Sequence, residues 1–373
     1  MILSLALLVV LFLTLKGCSM NWKRAPYYSI SDKEGDSFST DAFLISGGGL
    51  GILGGYRFNR NEDFKYNDFR QVTSVHKALI QKTEDNWKTR TTVFEGNGEI
   101  EGFFNVGKGG VIARNTQIDK ETLLTSAQIL ANFGTSWQEL SKLEFYVKKI
   151  YGSDSPWLLA VGFPDESRDT VFIMVSSSGA KNWHRVHLDG FTSPDIVDKI
   201  ALTLSNSGKL YRFNSIQLDF VDLSHTEPIY RWNSLPMAPS PLRNPFMVLW
   251  DNRVTVIGNT VDSTIGIWNM RVDGTGPSSI QECTGIPKGF SIDRFECRGD
   301  ALYLTGTVLI KRDGEVRGIE WYLLESDQVG KHWVDMHLPI TSSLQAVDFG
   351  EDGSIWASAP GNRIQIFEGK DKN

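Results

Sequence analysis

The sequence predicts an all-β fold in which one antiparallel unit of about 51 residues is repeated seven times. A hairpin pattern recurs seven times, a tryptophan recurs at nearly the same spacing, and the 373-residue length suits seven units once an apolar leader is set aside. Repeats of about 20–50 residues are typical of arrays in which each unit buries its apolar faces against its neighbours. The length therefore favours one array of repeats over two separate cores.

Each copy of the hairpin pattern has an alternating apolar run, a turn rich in Gly, Asp and Asn, and a second alternating run. Apolar alternation around residues that tolerate positive φ predicts a β-hairpin. The first apolar residues after the turns are 44 to 61 residues apart. These residues are Leu50, Val111, Trp157, Leu210, Val254, Leu302 and Ile355.

A set of tryptophans repeats in phase with the hairpins, about half a period after each. They are Trp87, Trp137, Trp183, Trp232 and Trp333, with gaps of 50, 46, 49 and 101 residues. The last gap is about twice the period, and Cys283 stands where a further copy is expected. A period near 50 with about four short strands per unit predicts a β-propeller, in which these side chains fill the wedge between blades. We expect seven blades, with six or eight as alternatives.

The seventh unit contains only three strand-like runs, near 345–349, 354–358 and 363–367. Propellers avoid an open sheet edge by closing the ring. The segment from Ala25 to Ser31 is an unassigned β-like stretch that precedes the first unit. We therefore predict that this segment is the fourth strand of the last blade.

The N-terminus has the features of an export signal. Residues 2–15 form an apolar run that is shorter than the roughly 20 residues a membrane-spanning helix needs, as is typical of a secretory signal. Leu15, Gly17 and Cys18 resemble a bacterial lipoprotein cleavage box, whereas Lys16 departs from that box. The alternative is a simple signal peptide or short anchor in which the cysteine is incidental.

We expect a lipid-anchored protein of the bacterial envelope that faces the periplasm, or a secreted protein. Acylated Cys18 would anchor it to the lipid bilayer. The predicted divisions are a signal peptide at 1–17, an N-terminal segment with the closing strand at 18–39, and one propeller domain at 40–373.

The other two cysteines, Cys283 and Cys297, are 14 residues apart. An oxidising compartment would allow them to pair, and a loop of this length closed without strain contributes about 3 kcal/mol. The alternative is two buried free thiols. No Cys-x-x-Cys motif is present, so the sequence does not predict a zinc ribbon or a thioredoxin-like site.

The segments before three of the tryptophans resemble the Asp-box, or BNR repeat, of sialidase-type propellers. These are Ser326–Trp333, Leu130–Trp137 and Ser176–Trp183, each of which keeps part of the pattern Ser/Thr-x-Asp-x-Gly-x-x-Trp. The residues before Trp87 and Trp232 keep little besides the tryptophan. Over residues 40–370 the chain is similar to exported Asp-box propellers, including photosystem II assembly factors of the Ycf48 type. The resemblance implies the fold and not catalysis, because the box is structural and lies away from the family's active site.

The sequence predicts neither a cofactor nor a metal. The Gly-x-Gly-x-x-Gly run at 49–54 precedes poor helix sequence, and a dinucleotide site needs a helix there. The pairs His184 with His187 and His332 with His337 have odd spacings, which place the two members on opposite faces of a strand. No calcium-loop pattern occurs either.

Catalysis by a sialidase-like propeller would require an arginine cluster, an aspartic acid and a Tyr–Glu pair, as the resemblance implies. The family's Arg-Ile-Pro signature is absent, and Arg24-Ala25-Pro26 is a poor substitute. The sequence therefore predicts no catalytic residue. An Asp-box glycoside hydrolase acting on envelope or extracellular glycans remains the alternative function.

Three stretches interrupt the repeat: Arg57–Arg70, Phe163–Thr170 and Ser234–Asn244. Irregular loops on a rigid ring are where propellers usually hold partners, although each could be a solvated loop. The net charge of −6 argues against a nucleic-acid partner. We expect a protein partner. This chain would bind it either as an immunity-type lipoprotein that neutralises a toxic enzyme or as an assembly or scaffold factor.

Overall fold

The computed structural model describes the chain in segments, and Trp87 and Cys18 lie outside them. The described residues are 23–24, 28–29, 36–47, 50–59, 76–85, 89–106, 110–118, 125–132, 136–152, 155–164, 170–190, 200–227, 229–250, 252–276, 279–298, 300–312, 314–327, 329–338, 347–349, 355–359 and 363–368.

The described part of the chain contains 29 β-strands. Those up to the third blade are β1 (Lys23–Arg24), β2 (Tyr28–Ser29), β3 (Asp36–Gly47), β4 (Leu50–Asn59), β5 (Lys77–Thr83), β6 (Thr91–Asn97), β7 (Glu99–Asn105), β8 (Val111–Ile118), β9 (Thr125–Asn132), β10 (Trp137–Leu143), β11 (Tyr146–Tyr151), β12 (Leu158–Phe163), β13 (Phe172–Ser176) and β14 (His184–Arg185). The others are β15 (Ala201–Leu204), β16 (Lys209–Asn214), β17 (Gln217–Asp222), β18 (Asn233–Ser234), β19 (Arg243–Trp250), β20 (Arg253–Asn259), β21 (Ile265–Arg271), β22 (Gln281–Glu282), β23 (Phe290–Arg298), β24 (Ala301–Arg312), β25 (Glu315–Asp327), β26 (Val334–Asp335), β27 (Val347–Phe349), β28 (Ile355–Ala359) and β29 (Arg363–Glu368).

The strands form seven antiparallel sheets, which are the seven blades of a propeller. Six sheets contain four consecutive strands each, from β3–β6 in blade one to β23–β26 in blade six. The predicted all-β propeller with seven blades is therefore confirmed, and the first blade begins at Asp36, four residues before the predicted boundary. The segments that the structure describes include no helix that is long and apolar enough to cross a membrane.

The seven predicted hairpins all connect the first and second strands of their blades. In blade four, Leu204 pairs with Leu210 across the turn between β15 and β16. Gly208 in that turn has φ 82°, and a Cβ there would lie 2.8 Å from the Trp157 ring. Both the backbone conformation and the close approach of the indole therefore require glycine at this position.

The seventh blade is closed by the N-terminal strand, as the sequence predicts. Its own strands β27, β28 and β29 are extended by β1 and β2, which pair with β29. Tyr28 lies opposite Ile364, within the predicted closing segment, and Lys23 lies opposite Glu368. The ring is thus held shut by pairing between the two ends of the chain.

The core consists of apolar layers between neighbouring blades. Strand β12 shows why, because all six of its residues are buried. Leu158 and Ala160 pack against blade two, whereas Leu159, Val161 and Phe163 pack against blade four. Successive side chains of a strand point to opposite faces, so each sheet serves two layers at once.

The described repeat tryptophans all pack towards the preceding blade. Trp137 is buried beside Ala78 and Ile80 of blade one, and Trp333 is buried beside Ile267 of blade five. Trp183 donates a hydrogen bond from Nε1 to Ser141 Oγ of blade two at 3.1 Å. Trp232 likewise donates to the carbonyl oxygen of Asp189, between blades three and four, at 2.9 Å.

In blades five and one, the residue directly before the fourth strand is not a tryptophan. In blade five the residue immediately before the fourth strand is Ile280, which packs between blades four and five, so Cys283 is not the equivalent residue. In blade one the fourth strand begins at Thr91, so Arg90 is the residue immediately before it. Burial lowers the pKa of Arg90.

The turn between the third and fourth strands is fixed by similar hydrogen bonds in two blades. Asp85 Oδ1 accepts a hydrogen bond from the Thr89 backbone N–H at 2.8 Å in blade one. Ser178 Oγ accepts one from the Asn182 N–H at 3.0 Å in blade three. In both blades a short polar side chain satisfies an amide four residues later, as turn residues commonly do.

The ring has two different faces. We call the face where strands one and two, and strands three and four, are joined the turn face. We call the other the connection face, because strands two and three are joined there and the chain passes to the next blade. The links between blades are as short as the single residue between Asn97 and Glu99, so successive blades start at the same face.

We expect a chain that starts at Asp32 to be less stable than one that starts at Asn21, because it lacks β1 and β2 and leaves the edge of β29 unpaired. At about 1 kcal/mol per hydrogen bond, the loss in the free energy of unfolding is about 2–4 kcal/mol. Chemical denaturation followed by tryptophan fluorescence measures it. Equal stabilities of the two chains would contradict the closing role.

Candidate functional site

The three stretches that interrupt the repeat all leave and rejoin the blades at the connection face. Those at 57–70 and 163–170 join the second and third strands of blades one and three, and that at 234–244 links blade four to blade five. Residues 60–75 and 165–169 lie outside the described residues. The structure therefore shows where these stretches leave and rejoin the ring.

The first stretch rejoins blade one at a cluster of side chains. The rings of Tyr56 and His76 stack with centroids 4.2 Å apart and planes 8° apart. Nδ1 of His76 contacts Oε1 of Glu99 in blade two, and the Gly98 N–H donates to the carbonyl oxygen of His76 at 2.9 Å. These contacts attach the end of the stretch to both blade one and blade two.

The link between blades four and five is fixed to the ring but presents one apolar side chain. The Ala238 N–H donates to the Ile216 carbonyl at 2.8 Å, and the Leu242 N–H donates to the Ser215 carbonyl at 2.7 Å. Ala238 and Leu242 are buried in the layer between the two blades, whereas Met237 is 58% exposed.

A protruding hairpin in blade six is the most prominent feature of this face among the described residues, and it was not predicted from the sequence. Strands β24 and β25 are 12 and 13 residues long, and β23 covers β24 only as far as Val308. Residues 309–319 therefore extend beyond the sheet as a two-stranded ribbon, which we call the arm. The available signal in the sequence was the Asp313-Gly314 dipeptide between two alternating runs, which is typical of a hairpin turn.

Most of the exposed apolar side chains that the structure describes lie on the connection face of blades four to six. Six of the nine large hydrophobic residues that are exposed are found there, and large apolar patches commonly mark interaction sites. They are Met237 in the blade link, Val261 in the turn between β20 and β21, and Leu309, Ile310, Val316 and Ile319 on the arm.

The two sides of the arm differ. Leu309 lies directly opposite Ile319, and Lys311 lies opposite Val316, so these four side chains share one side. Nearer the ring the same side carries Leu323, which packs against Ile355 of blade seven. The exposed apolar stripe is thus an outward continuation of a surface that packs against another blade.

The central channel carries two cations, and the charge of one affects the pKa of the other. The first strands of successive blades, such as β15 and β19, contact one another and therefore line the axis. Lys149 on β11 and Arg294 on β23 come from nearly opposite blades. Burial, and then the charge of Arg294, lower the pKa of Lys149. Its ammonium lies 4.8 Å from the centre of the Tyr151 ring, which partly offsets the lost hydration.

One Tyr–Glu pair occurs beside a small cavity between blades six and seven. Tyr303 Oη donates to Glu325 Oε1 at 3.2 Å, and burial together with the Glu325 charge raises the pKa of Tyr303. The Phe349 ring lies 4.4 Å from the Tyr303 ring, and the cavity they line with Arg294 has a volume of about 10 Å³. That volume accommodates about one water molecule, so a sugar ring does not fit without movement of the blades.

The sequence left open whether Cys283 and Cys297 pair, and no disulfide joins them in the structure. Both are half-buried against the layer between blades five and six. Cys283 Sγ lies 3.5 Å from the carbonyl oxygen of Gly330. Burial raises the pKa of Cys283 to about 12, so this thiol remains protonated at neutral pH.

Among the described residues, no group of three or more His, Cys, Asp and Glu side chains could hold a metal ion. Cys18, the predicted lipidation site, and Trp87 lie outside those residues. The lipid anchor therefore stays a prediction.

Comparisons with solved structures show the same fold. The chain is 10% identical to the propeller domain of the Trilobed protease from Pyrococcus furiosus, covering 92% of this chain and 96% of that one with a TM-score of 0.53. It is 13% identical to Ycf48 from Cyanidioschyzon merolae over 93% and 98% of the two chains, with a TM-score of 0.51. It is 14% identical to the GH74 xyloglucanase from Xanthomonas campestris over 91% and 53%, also with a TM-score of 0.51.

At such low identities the likeness shows the β-propeller fold alone. Because the similar structures include a hydrolase, the fold does not decide whether this chain is an enzyme. No protein-family model matches the sequence, and no curated protein matches it either. The chain is a seven-bladed β-propeller whose family the comparisons do not identify.

We expect Cys283 to react with a thiol reagent at pH 8 at least about 100-fold more slowly in the folded protein than in urea, because its raised pKa leaves little thiolate. The measurement is Ellman's titration of a Cys18→Ala variant, with and without urea. Two thiols per chain in urea without reductant are expected. Titration of none would show that Cys283 and Cys297 pair after all.

Proposed function

We propose that this chain is an exported, lipid-anchored propeller that binds a protein partner through its connection face and has no catalysis of its own. The observation that carries the proposal is the concentration of exposed apolar side chains on that face between blades four and six. A protein surface can bury such a patch, and the packed ring beneath it provides a rigid support.

Two biological roles fit this binding activity. In an assembly or scaffold role, the partner would be a component awaiting incorporation into a larger complex. In an immunity role, the partner would be a toxic enzyme that binding inactivates. The likeness to Ycf48 supports the fold and not the assembly role, since the identity is only 13%.

The alternative is a glycoside hydrolase, which the xyloglucanase likeness keeps open. Tyr303 with Glu325 and Tyr322 with Glu320 are hydrogen-bonded Tyr–Glu pairs, and Tyr303 also lines a small cavity. The volume of that cavity argues against a site for a sugar ring. Turnover on a panel of envelope glycans that is lost in both Tyr303→Phe and Glu325→Gln would favour the hydrolase.

We expect Val261→Asp to reduce recovery of a stoichiometric partner from native-host envelope extracts at least about ten-fold, because it places a charge in the apolar patch. Val334→Asp is a matched control, since both valines are more than half exposed but Val334 lies on the outer strand of blade six. The two variants should unfold within about 0.5 kcal/mol of the wild type. Equal recovery of the partner by the two variants would contradict binding through the connection face.

We expect Cys18→Ala to move the protein from the membrane fraction to the soluble fraction, because one acylated cysteine would supply its bilayer affinity. Fractionation of the host followed by immunoblotting measures this. Unchanged membrane association of the variant would contradict lipidation at Cys18.

A further inference from the structure

We propose that the arm of blade six is the docking element, and that it inserts its apolar side into an apolar groove with an acidic rim on a partner protein. This inference rests on the proposed function and specifies which part of the connection face makes the contact and what chemistry the partner offers.

The apolar side of the arm is suited to burial. Leu309, Val316 and Ile319 are 48%, 55% and 50% exposed, and the register places them on one side of the ribbon. Residues nearer the ring on that side pack against blade seven. Beyond Val308, β23 no longer pairs with β24, and the ribbon extends past its sheet. The apolar side of this outer part is therefore not covered as the faces of the blades are.

The charges near the tip indicate the chemistry of the rim. Lys311 and Arg312 are exposed and form no ion pair with a described residue. Arg317, in contrast, pairs with Glu315 at 2.7 Å. Lys311 and Arg312 thus place two exposed cations beside the apolar stripe, and these favour carboxylates on the partner.

Strand addition to the edge of the arm is a less suitable mode of binding. The pairing of β24 with β25 is interrupted by a bulge between Gly318 and Val316. Bulges and charged side chains at an edge are features that prevent pairing with another strand. Docking through side chains therefore fits the arm better than an added β-strand.

A lipid surface is also a poor occupant. The tip of the arm is charged, and its apolar residues lie behind the tip, whereas insertion into a bilayer requires apolar residues to enter first. Moreover, Lys23 pairs with Glu368, at the end of β29 that reaches the turn face. The five residues from Cys18 to Lys23 span at most about 18 Å, so an acylated Cys18 would keep the turn face near the membrane. The arm, on the opposite face, would then point into the aqueous compartment.

The test uses the full chain in its native host with a photo-crosslinking amino acid at position 319 or, as a control, at position 334. We expect one protein to crosslink from position 319 and not from position 334. The crosslinked peptide should map to an apolar groove bordered by Asp or Glu. Val316→Asp should lower the yield at least ten-fold, and Val334→Asp should leave it unchanged.

A charge test adds a second variant that leaves the apolar stripe intact. Lys311→Glu together with Arg312→Glu should reduce the yield at least five-fold, and the reduction should be smaller at high salt. Thermal unfolding midpoints equal to that of the wild type would show that each variant is folded.

Several results would overturn the inference. Crosslinks from position 319 to lipid, or to a second copy of this chain, would replace the partner protein with another occupant. Full recovery of the partner by Val316→Asp, with loss by Val261→Asp, would exclude the arm but retain the proposed function. Recovery of no protein partner by the wild type would end both proposals.

Discussion

The packing of each blade against its two neighbours is the interaction on which the rest of this structure depends. A four-stranded sheet has two apolar faces and cannot bury either alone. In β12 the complete burial of six consecutive residues shows that both faces are covered. At roughly 25 cal/mol per Å² of apolar area removed from water, this layer-by-layer burial is the main source of stability. It also explains why wedge residues such as Trp333 recur once per blade.

Because every blade depends on two neighbours, the two ends of the array have to meet. Pairing of β1 and β2 with β29 completes the sheet at that point. Hydrogen-bonded pairing with β29 makes the closing strand part of the last blade, although it comes first in the chain. The same pairing places Lys23 at the turn face, opposite the connection face.

Residues outside the inter-blade layers are free to vary without loss of the fold. The arm is the clearest instance, because its strands extend past Val308 to where no neighbouring strand covers them. Its apolar side chains therefore contribute little to the stability of the ring, and their exposure calls for another explanation. Between blades six and seven, Tyr303 and Glu325 form a hydrogen-bonded pair of the type a sialidase uses. Tyr303 packs beside Phe349, and the cavity there has little open volume.

The sequence by itself determined the fold class, the seven hairpins and the closing segment around Tyr28, because each depends on local alternation and on a period that repeats. It could not align the tryptophan repeat everywhere. The length of the turn before the fourth strand varies, and only the strand boundaries show that Ile280, not Cys283, directly precedes the fourth strand of blade five. It also left open whether Cys283 and Cys297 pair, and in the structure no disulfide joins them. The arm needed tertiary structure for the same reason: alternation predicts a strand, but only the register with β23 shows where that strand leaves its sheet.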